Sequence, residues 1–291
     1  MTGSSTTARA TTPGSRGASG RSGRGSMHPA SWLDAILEPG ALSVAFQPIV
    51  EGGPSVFKTR AVEGLVRGPN GSRLQSAREL FGYARLEREE AKVDRACIEA
   101  VCEAAPGLRA PLDVAISIHA ATLCADPDAM WFLLAKARAN GMAVSRLIVE
   151  VVEYVPSWID GRLAPALARL RRAGMRAALD VAPGPSNDRM ILACRPDCLK
   201  VGGPLLTATR SDEPTRSLLQ SIVARAAGVG ACVVAEGVEC PADVAGLARL
   251  GVGLFQGHVF SPAVAAEDVP LRFELAASPA DSVEPVPRAE A

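Results

Sequence analysis

The chain has 291 residues, 48% of them hydrophobic, enough for a sizeable core in one large domain or two small ones. Its 31 basic and 31 acidic residues cancel, so nothing in the charge predicts the non-specific phosphate attraction of a nucleic-acid binder, and no nucleic-acid partner is expected, while a compact anionic ligand in a local pocket is still open. No apolar run of about 18 residues occurs, so no membrane-spanning helix and no membrane partner are predicted, and the protein is expected to be soluble.

Residues 1–27 are Ser, Thr, Gly and Arg with no acid and almost nothing apolar, so they are predicted to form a disordered tail. They lack the apolar segment of a secretory signal. Ordered sequence begins directly after Met27 at "HPASWLDAIL", which makes Met27 a candidate for the true start. One domain is expected over residues 28–277, followed by a second tail over 278–291.

Within that domain short apolar runs alternate with amphipathic stretches of ten to sixteen residues. Strands are predicted at 43–50, 61–66, 113–118, 147–152, 176–181, 198–201, 231–236 and 253–257. Helices are predicted between most of them, including 87–104, 127–140, 160–173, 213–227 and 241–250. Eight near-continuously apolar strands separated by helices point to an α/β fold, a (β/α)8 barrel rather than an open sheet.

In such a barrel, polar residues at the C-terminal ends of strands face the site. Those positions hold Glu63, Ser117, Glu150, Glu153, Asp180, Lys200, Glu236 and Gln256. Carboxylates at the ends of apolar strands are costly to desolvate unless paired or bound to cations, so a polyanionic or metal-bridged ligand site is predicted there. The seven cysteines are scattered through core segments and odd in number, which favours reduced thiols and a cytoplasmic location. Cys194 and Cys198 have C-x3-C spacing, but His28, His119 and His258 are too dispersed to complete a zinc site with them.

"FQPIV", "AVEGLVRGP", "RLIVEVVEY", "ALDV", "PDCLKV", "AEGVE" and "FQGHVFSPAV" follow one another from residue 46 to 264. In that order they resemble the EAL domain, the family that hydrolyses the bacterial second messenger cyclic di-GMP, with "EGL" at 63–65 in place of the signature Glu-Ala-Leu. The resemblance implies an EAL-type barrel whose first strand runs antiparallel to the rest. It also implies two-metal phosphodiester hydrolysis with Mg²⁺ or Mn²⁺. Glu63, Glu150 and Asp180 match metal ligands, and Glu236 matches the carboxylate of the second ion. Lys200 matches the lysine near the attacking water, and Gln256 a supporting glutamine.

The same resemblance suggests Gln47 at a guanine edge and Arg67 at a phosphate, roles that amide and guanidinium groups suit. The alternatives are a glutamine hydrogen-bonded inside the barrel and an arginine in a surface salt bridge.

Three departures are specific. Ser117 stands where the family has an asparagine ligand, Val181 where it has a second aspartate, and Gly202 where it has the aspartate of Lys-Ile-Asp. The segment "DVAPGPSND" replaces the family's glycine-rich loop with one stiffened by two prolines. A degenerate EAL domain is therefore expected, with metal weakly held and hydrolysis impaired, acting as a cyclic di-GMP receptor. A protein-interaction scaffold and a weakly active phosphodiesterase remain as alternatives. The sequence names neither the protein partner nor an oligomeric state.

Overall fold

The computed structural model describes residues 31–53, 56–152, 161–180 and 187–275. Met27, Glu153, Val181 and both predicted tails lie outside them. The strands are β1 (Ser43–Gly53), β2 (Val56–Arg67), β3 (Asp113–His119), β4 (Leu147–Val152), β5 (Arg176–Asp180), β6 (Cys198–Val201), β7 (Cys232–Ala235), β8 (Leu254–Gln256) and β9 (Arg272–Glu274). Strands β2 to β8 pair in sequence order, each parallel to the next. β1 closes the cylinder by pairing antiparallel with both β2 and β8. The eight predicted strands are all present, and the reversed first strand is the one the family resemblance implied.

The short β9 was not predicted. It lies antiparallel along the first residues of β2, where Phe57 and Phe273 are register partners. Phe260 joins them, 5.1 Å from the Phe57 ring and 5.6 Å from the Phe273 ring, so an aromatic cluster anchors the C-terminal segment.

Strands β4 and β6 are almost wholly buried because one face lines the barrel and the other meets helices. The outer ring includes helices Glu90–Ala104, Asp128–Ala139, Leu163–Arg172, Glu213–Val229 and Pro241–Arg249. The first corrects the predicted helix at 87–104. A separate helix, Ala77–Glu87, precedes it and ends at Arg88, whose left-handed φ of 59° breaks the run. That helix starts at an N-cap, with the Ser76 hydroxyl accepting from the Glu79 N–H at 3.3 Å and donating to the Glu79 carboxylate.

Most of the core lies between strands and helices, with Leu80, Ile98, Leu133 and Leu167 fully buried. Inside the barrel is a smaller cluster of Ile49, Ala61, Ala178, Cys198 and Val234. Because several of these side chains are small, a cavity of about 310 Å³ runs from the N-terminal ends of the parallel strands up to Glu150 and Lys200.

Candidate functional site

Alternation along each strand sends every second side chain inward. On β6 this places Cys198 and then Lys200 in the barrel interior, while β2 contributes Glu63 and β4 contributes Glu150. Lys200 is 2% exposed, and its ammonium lies 2.9 Å from Glu63 Oε2 and 2.5 Å from Glu150 Oε2. It also pairs with Glu236 Oε1, just beyond the end of β7. One buried cation thus holds three carboxylates from three segments of the chain.

Gln256, at the end of β8, donates through Nε2 to Glu63 Oε2 at 2.7 Å and to Gln47 Oε1 at 3.0 Å. Gln47 in turn donates to the Ser261 carbonyl at 3.1 Å. Both ends of the Gln47 amide are therefore engaged within the protein, the arrangement expected of a barrel-interior glutamine. A nucleobase at Gln47 would have to replace one of these bonds.

The other predicted residues sit at the margin. Asp180 is exposed beside Lys200 in the β5–β6 register, and its charge contributes to raising the Glu236 pKa. Ser117 is half-buried opposite Glu150 in the β3–β4 register. Arg67, at the end of β2, donates to the Val66 carbonyl at 3.3 Å, and its charge helps to lower the Glu63 pKa. Val181 lies outside the described residues.

One supporting pair was not singled out in the sequence. Asp94, fully buried on helix Glu90–Ala104, lies 2.7 Å from His119 Nδ1 and accepts the His119 backbone N–H at 3.0 Å. It fixes the C-terminal end of β3, two residues beyond Ser117. The available signal was an aspartate between Val93 and Cys97 on an otherwise apolar helix face.

Three carboxylates around one ammonium carry excess negative charge, so they cannot all ionise easily. Burial, then the Glu63 charge, pushes the Glu150 carboxyl from an ordinary 4.5 up to about 8. Burial likewise raises Glu236. Burial would raise Glu63 too, but the Lys200 charge and the Gln256 and Lys200 hydrogen bonds outweigh it and hold Glu63 below its usual range. For Lys200, burial opposes the charge, but the surrounding glutamates outweigh it and keep the ammonium protonated well beyond the ordinary lysine range.

The same residues suit a hard divalent cation. One oxygen each from Glu63, Glu150 and Glu236 lie within 4.8 Å of one another, an all-oxygen set of the kind Mg²⁺ or Mn²⁺ takes. A cation would neutralise the excess charge, but it would compete with the Lys200 ammonium for the same oxygens. When bound, such an ion polarises a phosphoryl oxygen and acidifies water. The residues of the chain hold the oxygen set, while Lys200 and Gln256 orient Glu63 within it.

A closed β/α barrel with an acidic centre at the C-terminal ends of its strands is a TIM-like fold. The chain belongs to the EAL domain family, whose model matches residues 30–263. It is 30% identical over 152 residues to the blue light- and temperature-regulated antirepressor BluF of Escherichia coli, a match covering 52% of this chain and 38% of BluF. It is 30% identical over 143 residues to the cyclic di-GMP phosphodiesterase NbdA of Pseudomonas aeruginosa, covering 48% of this chain and 18% of NbdA. Among solved structures, a manganese and cyclic di-GMP complex of Klebsiella pneumoniae BlrP1 matches with a TM-score of 0.68 at 27% identity, over 79% of this chain and 57% of BlrP1. The chain thus spans well under two-thirds of the length of each of these relatives. Among the described residues, no helix is long and apolar enough to cross a membrane.

Proposed function

We propose that this EAL domain is a cyclic di-GMP receptor that binds the dinucleotide without hydrolysing it efficiently. The observation that carries the reading is Ser117, half-buried opposite Glu150 where the family pattern has an asparagine ligand, and the Lys200 ammonium, which the hydrolysing pattern also has, meets the oxygens of Glu63, Glu150 and Glu236 that an ion would use. Gly202 adds to it. A Cβ at this position would lie 3.3 Å from Glu236 Cβ, a tight contact, so an aspartate here would require Glu236 to give by a few tenths of an ångström. Ser117 and Val181 offer a hydroxyl and an isopropyl group where the family pattern has an amide and a carboxylate, so Mg²⁺ or Mn²⁺ is held weakly. The manganese and cyclic di-GMP complex of BlrP1 supports the ligand class. Arg67, at the C-terminal end of the strand that carries Glu63, is the residue suited to a phosphate.

Calorimetric titration with cyclic di-GMP, run with chelator and then with Mn²⁺, tests this directly. Binding is expected in both, with turnover far below the order of 1 per second of an ordinary enzyme. Arg67→Ala is expected to weaken binding by about 1.5–3 kcal/mol, the worth of a hydrogen bond to a charged group. Turnover at an ordinary rate would overturn the receptor reading in favour of a phosphodiesterase of the kind the name of NbdA describes. No binding at millimolar ligand would favour a scaffold for a protein partner, the reading that the name of the antirepressor BluF supports.

The metal part of the proposal has its own test. Ser117→Asn together with Val181→Asp is expected to tighten Mn²⁺ binding, measured by paramagnetic resonance, and to restore at most weak hydrolysis. Gly202, Pro183 and Pro185 still depart from the family pattern in that variant. Unchanged Mn²⁺ affinity would refute the assignment of these two positions.

A further inference from the structure

At the opposite end of the barrel, Cys198 and Cys232 are direct partners in the β6–β7 ladder, and their sulfurs lie 3.0 Å apart. Neighbouring strands run about 4.7–4.9 Å apart. That falls within the Cα separation of about 4.4–6.8 Å that a disulfide spans. The sulfur–sulfur distance exceeds the roughly 2.0 Å of the bond by about 1 Å. Both thiols line the 310 Å³ cavity that leads up to Lys200 and Glu150. They are unequal in access: Cys232 is exposed, whereas Cys198 is only 9% exposed.

We infer that Cys198 and Cys232 form a redox-active dithiol that hydroperoxide-class oxidants convert to an intramolecular disulfide at the foot of the barrel. Cys232, the accessible sulfur, attacks the peroxide O–O bond as its thiolate. An S–O bond forms, the O–O bond breaks, and the departing oxygen takes up the proton released by the Cys232 thiol, leaving as water from hydrogen peroxide or as an alcohol from an organic hydroperoxide and giving a sulfenic acid. The Cys198 sulfur then attacks the Cys232 sulfur. The S–S bond forms, the S–O bond breaks, and the hydroxide leaves as water with the proton from the Cys198 thiol. Two thiols lose two electrons in all, and one hydrogen peroxide becomes two waters. The local chemistry agrees with this division of roles. The sulfur–sulfur hydrogen bond chiefly, with the Arg176 charge, holds the Cys232 thiol below its ordinary range, whereas Cys198 is raised. Because Cys198 precedes Lys200 by two residues on the same face of β6, the bond would pin the strand that carries the lysine.

The test is peptide mapping of the full chain after hydrogen peroxide, with residual thiols blocked by N-ethylmaleimide. A Cys198–Cys232 linked peptide that dithiothreitol dissolves is the expected product, with the loss of two hydrogens in the intact mass. In Cys198→Ser, Cys232 should be trapped by dimedone as sulfenic acid. In Cys232→Ser, Cys198 should stay reduced at the same peroxide dose. Phenylarsine oxide, which bridges closely spaced thiols, should bind the untreated protein one to one and protect both cysteines from alkylation. The inference is overturned if peroxide leaves both cysteines open to N-ethylmaleimide, or links either of them to a different cysteine instead. The wild-type measurement stands even if a serine variant fails to fold.

Discussion

Replacing Lys200 with methionine is expected to destabilise the metal-free protein by roughly 3–5 kcal/mol at pH 8, the cost of removing one partner from a buried ion pair. Methionine keeps the volume of the side chain but leaves Glu63, Glu150 and Glu236 facing one another without their cation. At pH 5 the loss should be much smaller, because the carboxyls relieve the repulsion by taking up protons. Millimolar Mn²⁺ should restore part of the lost stability at pH 8, since the three oxygens that the lysine held become available to the ion. Urea unfolding at the two pH values, with and without Mn²⁺, measures all of this. Equal stability of Lys200→Met and wild type at pH 8 in chelator would show that the ammonium is not what compensates these carboxylates.

The second large effect is the pH dependence of the unsubstituted, metal-free protein. Glu150 has a folded pKa of about 8 against an ordinary 4.5, so the folded state holds a proton that the unfolded chain releases. Its favourable contribution is complete below about 4.5 and is lost as pH rises through 8. Glu236, also raised, acts in the same direction. Glu63 acts oppositely, because its lowered pKa gives stability that is present above the ordinary carboxylate range and lost only in acid. The carboxylate cluster should therefore make the protein several kcal/mol less stable at pH 9 than at pH 5–6. Thermal unfolding across that range should show the loss, and Glu150→Gln should flatten it. A melting temperature that rises steadily from pH 5 to pH 9 would contradict the assignment.

Much of this architecture was legible in the sequence because burial on both faces leaves an unbroken apolar run, as in "LIVEVV", that a helix of the same length seldom needs. Polar residues ending such runs marked Glu63, Ser117, Glu150, Glu153, Asp180, Lys200, Glu236 and Gln256; of these Glu63, Glu150, Lys200, Glu236 and Gln256 form one contact network, Ser117 and Asp180 stand at its margin, and Glu153 lies outside the described residues. What the sequence did not reveal depends on register, rotamer and charge balance. That Lys200 contacts three glutamates at once follows from side-chain direction, which a one-dimensional pattern does not contain. The pairing of Cys198 with Cys232 follows from strand register between segments more than thirty residues apart. The helix break at Arg88 was hidden because amphipathic sequence continues on either side of a single left-handed residue. Gln47 was left between ligand and interior roles, and its two hydrogen bonds to Gln256 and Ser261 describe the interior one.

The closure of the barrel by its first strand also has a consequence for synthesis. β1 can pair with β2 almost as soon as both have left the ribosome, but its other edge waits for β8, whose Gln256 meets Gln47 across 209 residues of chain. Until then the nascent sheet has two open edges, one on β1 and one on whichever strand was made last, and each is a template for pairing with another chain. Lys200 emerges after Glu63 and Glu150 but before Glu236, so the growing sheet carries two acidic side chains on its concave face before their cation arrives. That early excess of like charge on an unfinished surface disfavours stacking of one incomplete barrel on another.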